Sequence, residues 1–342
     1  MRRWRTAVRV LVVAAFAGAV VWVLASRWQE VQPLLGRLSA GSVLGALAAV
    51  LAGIFGTFLC WRALLADLGS PLPVPGAMRV FFVGQLGKYL PGSLWPVLAQ
   101  MELGRDYKVP PRASGAAVAV FLVVIVGTGL VIAVPSLPLL ADGAVATYWW
   151  TLIALPVAIV VAAPPVLNRL IGTALRLARR PALPQPLTLG GIARAAGWAL
   201  LSWIAYGVHV WVLALQLGAT PTPWLLLVAT GAFAAAWAIG FLVVVAPAGA
   251  GVRDAALILL LAGVLSAPQA TVIAVLSRLM FTVGDVAWCL PALVARRMST
   301  RQGSADETGA EIGDEISAVS PTPSSTGTGS SPAARRRPWR RT

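Results

Sequence analysis

The sequence predicts an all-α, polytopic membrane protein of about eight transmembrane helices plus one re-entrant, broken segment. Three observations carry that expectation. Of 342 residues, 58% are apolar and only 11% are charged, and mean hydropathy is +0.81, beyond what a water-soluble domain carries. Apolar runs recur near the ~20 residues that cross hydrocarbon. Basic residues gather at the ends of those runs, so positive-inside topology accounts for the net charge of +15 without a nucleic-acid partner.

The first run, 10–25, follows Arg2, Arg3 and Arg5. A signal peptide shares that pattern, but the run is long for one. Trp28, an interfacial anchor, stands where a small-residue cleavage site would be expected, so a spanning helix is the reading taken. Further spans are expected at 41–65, 113–136, 147–166, 193–217 and 224–246. A final helix over 269–295 ends in Arg296-Arg297.

Orientation sorts the remaining two segments. With a cytoplasmic N-terminus, the loop holding Arg169, Arg176, Arg179, Arg180 and Arg194 is also cytoplasmic, whereas the loops near Asp142 and Thr220 carry no basic residue. Segment 77–101 must then enter and leave by one face, broken at Pro91-Gly92. Segment 252–266, which follows Pro247-Ala-Gly-Ala-Gly251, must cross, however incompletely, so that both termini are cytoplasmic. Residues 298–342 turn to Ser, Thr, Gly, Pro and mixed charge and are expected to form a disordered, basic cytoplasmic tail behind a membrane domain of residues 1–297. Its terminal arginines suit anionic lipid headgroups.

Irregular backbone at membrane depth persists only where protein or a water-filled cavity satisfies its polar groups. The two breaks therefore mark a candidate substrate-binding site, and interrupted segments in both halves of a chain point to a transporter site. Simple kinks or helix ends at an interface are the competing explanation. Each break is followed by charge: Glu102, Arg105 and Asp106 after Pro91 and Gly92, and Arg253 and Asp254 after Pro247, Gly249 and Gly251. Lys88, Arg278 and Asp285 lie within apolar segments, where a charge costs at least ~2.5 kcal/mol. Arg278 and Asp285 are two helical turns apart and share a face. They serve either a ligand or structural pairs, such as Arg278 with Asp254 and Lys88 with Asp285.

Other chemistry is poorly supplied. Twelve acidic residues, one histidine and two cysteines offer no metal-ligand spacing and no disulfide framework, so neither a metal nor a cofactor is expected. His209, amid apolar neighbours, reads as a packed histidine rather than a proton relay. Gly249-Ala-Gly251 lacks the strand, third glycine and lysine of a nucleotide loop. The helix N-terminus at Gly251–Ala255 nevertheless favours an anion such as a lipid phosphate, which Arg253 would strengthen.

Gly84-Gln-Leu-Gly-Lys-Tyr-Leu-Pro-Gly-Ser-Leu-Trp95 and Pro247-Ala-Gly-Ala-Gly-Val-Arg-Asp254 resemble the two signatures of the lysylphosphatidylglycerol synthase transmembrane (flippase-like) family, and Arg278-Leu279 with Gly284 resembles its last helix. The resemblance covers roughly residues 8–297. Ala248, Ala250 and Asp254 depart from the usual Pro-Gly-Gly-(Leu/Ile)-Gly-Val-Arg-Glu, keeping the acid but reducing backbone freedom. It implies a bacterial inner-membrane protein whose relatives move aminoacylated phospholipid between leaflets or serve glycosyltransferase systems using lipid-linked sugars. The catalytic domain of the aminoacyl-lipid synthases has no counterpart in these 342 residues, so the expectation leans away from an enzyme.

The leading expectation is transbilayer translocation of a phosphate-containing lipid, aminoacylated or glycosylated. Lys88, Arg105 and Arg253 would take the phosphate, and Glu102, Asp106 and Asp254 an amine or sugar hydroxyls. The alternatives are a membrane-embedded glycosyltransferase or lipid-modifying enzyme, or a non-catalytic scaffold for one. Expected partners are lipids with anionic headgroups and a separate lipid-modifying or glycosyltransferase enzyme.

Overall fold

A computed structural model describes residues 28–89, 95–140, 153–242 and 251–319. The described residues form helices α1 (Trp28–Leu35), α2 (Ala40–Asp67), α3 (Val74–Met78), α4 (Trp95–Arg105), α5 (Pro111–Leu140), α6 (Ala154–Ala162), α7 (Pro164–Leu177), α8 (Leu189–Gln216), α9 (Leu225–Leu242), α10 (Val252–Leu261) and α11 (Ala267–Val319). A π turn (Arg79–Val83) and a 3-10 turn (Leu86–Tyr89) separate α3 from α4. No strand occurs among these residues. Four helices are long and apolar enough to span: α2, α8, and α5 and α11 over Pro111–Ser136 and Ala267–Leu293; α6 with α7 forms a bent pair, and α9 is a shorter apolar helix. This is a multi-pass membrane protein. The expected span at 10–25 lies outside the described residues.

Local chemistry sets the helix ends. The Ser39 side chain accepts from the Ser42 amide at 3.1 Å to start α2. At the far end of α2, Asp67 would be disfavoured by the helix dipole. It instead accepts from the Thr188 amide (2.8 Å) and hydroxyl (2.7 Å) at the start of α8, where the dipole has the opposite sign. The Thr188 hydroxyl in turn accepts from the Gly191 amide at 2.9 Å. Asn168 exchanges two hydrogen bonds with Leu187, 2.9 and 2.8 Å, and Arg112 donates to the Ala182 carbonyl at 3.2 Å. The end of α2, the starts of α5 and α8, and α7 thus meet at one arginine-rich end. At the start of α11, the Gln269 side-chain oxygen accepts from both the Ser266 amide (2.7 Å) and hydroxyl (2.8 Å), and Gln269 also donates to the Leu217 carbonyl at 2.7 Å. That ties α11 to the opposite end of α8.

The core lies between these helices. α2 and α8 approach so closely that a Cβ on Gly53 would enter the Tyr206 ring, and one on Gly56 the Ser202 hydroxyl; small residues at such crossings let backbones meet where lipid supplies no hydrophobic drive. Two aromatic groups fill the interior. Phe55, Trp288 and Phe82 stack in series at 4.9 and 5.4 Å, and Tyr206, His209, Phe233 and Phe281 pack around one another.

Three elements differ from the sequence expectation. The span expected over 147–166 is, where described, broken: α6 and α7 bend by 58° at Ala163, whose extended φ −63°, ψ 132° is what a following proline imposes. Pro164 then occupies the first turn of α7, where its missing N–H costs nothing. The segment expected over 252–266 yields the ten-residue α10, about 15 Å long and half a hydrocarbon core. Finally, α11 continues to Val319, past the compositional boundary at 298. Residues 298–319 contain no proline that would interrupt the helix. The chain divides into two compact units, Met1–Arg296 and Arg297–Thr342.

Candidate functional site

α11 is the element both breaks reach. From the first, Lys88 at the end of the 3-10 turn places its Nζ 2.7 Å from Asp285 Oδ2. From the second, Asp254 at the start of α10 accepts from Arg278 Nη2 at 2.8 Å. Arg278 and Asp285 are two turns apart, so the two pairs sit on one face of α11 about 10 Å apart in depth. Polarity alternates: α11 offers a cation to the second break and an anion to the first.

The first break is held by rings as well as charge. Phe81 and Phe82, in the π turn, pack against Phe58, and Phe82 stacks on Trp288. The Cys289 thiol lies 3.3 Å from the Phe82 carbonyl and donates to it, and Trp288 donates to the Leu51 carbonyl at 3.1 Å. A π turn places its carbonyls off the regular ladder, so such donors matter there. Gln100 on α4 is buried against Gly84, where a Cβ would overlap its side chain.

The second break ends at Gly251, with φ +83°, a conformation that only glycine adopts cheaply. The Gly251 amide donates to Asp254 Oδ2 at 3.1 Å, so one carboxylate oxygen caps α10 and holds α11. Arg253 turns the other way. Its guanidinium carbon lies 4.7 Å from the Phe233 ring centroid and 4.9 Å from that of Phe281, a favourable cation–π geometry. Among the described residues no carboxylate lies within ion-pair distance of it. Among the described residues at this junction, two arginines thus face one carboxylate. A Cβ on Gly240 would come within 2.7 Å of Arg253 Cβ, so glycine there lets α9 and α10 touch.

Behind the rings, His209 is fully buried, its Nε2 sharing a 3.0 Å hydrogen bond with the Ser277 hydroxyl. This is the packed histidine the sequence suggested. Cys60 and Cys289 are both buried, free thiols.

Not every charged candidate joins this site. Glu102 and Arg105 pair with each other at 3.2 Å on the surface, 71% and 62% exposed, and Asp106 takes Arg79 at 3.0 Å. Of the described candidates, Lys88, Arg253, Asp254, Arg278 and Asp285 converge on α11, with Gly251 shaping the turn. Pro91, Gly92, Pro247 and Gly249 lie outside the described residues. Sequence reasoning missed Phe233 and Phe281. Phe281 carried a usable signal, because it falls on the Arg278–Asp285 face at i+3; Phe233, on another helix, carried none. Among the described residues no group of histidine, cysteine and carboxylates could hold a metal ion.

Such a fold, a helical bundle whose last span holds Lys88 and Asp254 through partly buried ion pairs, defines a multi-pass membrane protein with charged groups among its helices. Residues 7–289 match the family described as the lysylphosphatidylglycerol synthase TM region, and the chain belongs to that family. The family points to a membrane, lipid-related role. No curated protein matches the chain.

Proposed function

We propose that the protein moves a phosphate-containing lipid, aminoacylated or glycosylated, between leaflets. The observation that carries this reading is Arg253: a cation at a broken helix, held on two rings, with no carboxylate in ion-pair distance among the described residues. Arg253 is partly buried, where a cation without an acid partner is costly, and an anionic headgroup arriving beside it recovers that cost. The N-terminal amides of α10 favour the same charge, although Asp254 already occupies one of them. The two pairs on α11 supply polar stations at two depths, so a headgroup exchanging partners along that face avoids full desolvation. A pair of this kind opens when the headgroup itself replaces the partner that is lost, since an unpartnered charge there is strongly unfavourable.

On this reading Pro91 and Gly92, and Pro247 and Gly249, furnish the irregular backbone that lines the path, and both termini face the cytoplasm of a bacterial inner membrane. Glu102, Arg105 and Asp106 form a surface entry rather than the inner station. The lipid is made or used by a separate lipid-modifying or glycosyltransferase enzyme. The test is transbilayer movement of headgroup-labelled phospholipids in proteoliposomes, native protein against Arg253→Ala/Asp254→Ala of matched folding. Movement with the native protein alone is expected. Equal, negligible movement across aminoacyl, glycosyl and polyprenyl-phosphate lipids would overturn the reading in favour of an enzyme or scaffold.

A further inference from the structure

Arg253 rests on two rings that come from different helices. Phe233 on α9 and Phe281 on α11 lie 18° apart in plane with their centroids at 5.5 Å, and the guanidinium carbon sits 4.7 and 4.9 Å from them. Cation–π attraction depends on where the rings stand, so whatever fixes the ring pair also fixes the cation.

His209 on α8 reaches both rings. Its imidazole packs 4.9 Å from Phe233 at 88° and 5.8 Å from Phe281 at 74°, the perpendicular arrangement that aromatic pairs favour. Gly207, where a Cβ would overlap the Thr230 hydroxyl, brings α8 against α9. The imidazole is also held in rotation, because its Nε2 shares a 3.0 Å hydrogen bond with the Ser277 hydroxyl. Ser277 and Phe281 are four residues apart and share a face of α11, so one bond fixes the imidazole relative to a ring that it supports. Tyr206, one turn earlier on α8, packs on the same two rings at 5.6 and 4.9 Å, but it is His209 that carries the bond to Ser277.

His209 and Ser277 are 0% and 2% exposed, so neither meets a headgroup directly. A buried polar pair adds little stability over apolar side chains of the same shape. What it adds is a single orientation.

We propose that His209, held by Ser277, is a positioning residue for Arg253: it sets the Phe233 and Phe281 rings so that the guanidinium is already in place when an anionic headgroup arrives. The inference rests on the reading of Arg253 as the headgroup station. A cation ordered beforehand binds without the entropic cost of ordering it.

The test applies two readouts to His209→Leu/Ser277→Ala, which removes ring and tether together and leaves neither polar partner behind. Arginine side-chain NMR in detergent reads the ring-current shift of Arg253, assigned by its loss in Arg253→Lys. Proteoliposomes read the movement of labelled aminoacyl, glycosyl and polyprenyl-phosphate lipids as the fraction of each is raised. The variant should unfold at the native midpoint, lose most of the shift, and need about fivefold more lipid for half-maximal movement at an unchanged maximal rate. If either readout stays native in the folded variant, the inference falls while the headgroup reading stands. A native protein that moves none of these lipids overturns the headgroup reading and this inference with it. Should the double variant fail to fold, Ser277→Ala and Ser277→Thr decide: removing the hydroxyl should raise the half-maximal fraction about twofold, and restoring it should recover the native value. Identical behaviour of those two variants overturns the inference.

Discussion

The two broken segments solve one problem in opposite ways. At the first, Phe81 and Phe82 are almost fully buried in rings from α2 and α11, and Lys88, a third exposed, reaches down to a buried Asp285. At the second, the charges themselves are partly buried: Asp254 and Arg278 are 22% and 17% exposed, and Arg253 rests on rings rather than on an acid. The first break is a packed anchor with one long, snorkelling cation. The second is an electrostatic junction with an excess cation, which is why it is the proposed inner station. Packing resists rearrangement, whereas an ion pair accepts a substitute partner that brings the same charge, such as a headgroup phosphate in place of a carboxylate.

Substitutions can break or sharpen that contrast. The largest effect is expected from Arg278→Ala, which leaves Asp254 without its ion partner and should cost about 3 kcal/mol, read as a lowered unfolding midpoint in detergent. A double-mutant cycle sharpens it: coupling of Arg278 with Asp254 should be about 2 kcal/mol, and that of Lys88 with Asp285 about half as large, because Lys88 is better screened. Equal couplings would remove the contrast. Next, Gly251→Ala forces a positive φ on a residue with a Cβ and should destabilise by about 1–2 kcal/mol, detectable as faster hydrogen exchange confined to α10. Arg253→Lys exchanges a planar cation for a point charge on the rings, a loss of about 0.5–1 kcal/mol. Its effect on lipid movement should exceed its effect on stability, and a parallel decline of both would mark Arg253 as merely structural. Smallest is Glu102→Gln, expected within about 0.5 kcal/mol of the native protein because its pair is exposed.

Legibility followed the range of the forces involved. Hydropathy along one chain is enough to reveal α2, α5, α8 and α11, since each must satisfy the bilayer by itself. Charge inside apolar runs was equally visible at Lys88, Arg278 and Asp285, and the seven-residue spacing of the last two already put them on one face. Even the possible pairings of Lys88 with Asp285 and of Arg278 with Asp254 followed from counting the few opposite charges on hand. The bend at Ala163 was written in Pro164-Pro165 but outweighed by the apolar run around it, because window hydropathy ignores what proline does to the preceding backbone. The short reach of α10 was hidden similarly, since 252–266 is apolar beyond the point where helix ends.

By itself, then, the sequence determined that this is a helical membrane protein with two interrupted segments and three charges, Lys88, Arg278 and Asp285, that must be met inside it, because transfer from water to hydrocarbon is a property of each segment alone. Only the tertiary structure decided that Arg253 lies on Phe233 and Phe281, that Glu102 and Arg105 pair on the surface, and that the Thr188 start of α8 takes Asp67 from the end of α2. Those outcomes depend on which helices become neighbours and at what depth, and contacts between distant segments leave no local trace in the chain that makes them.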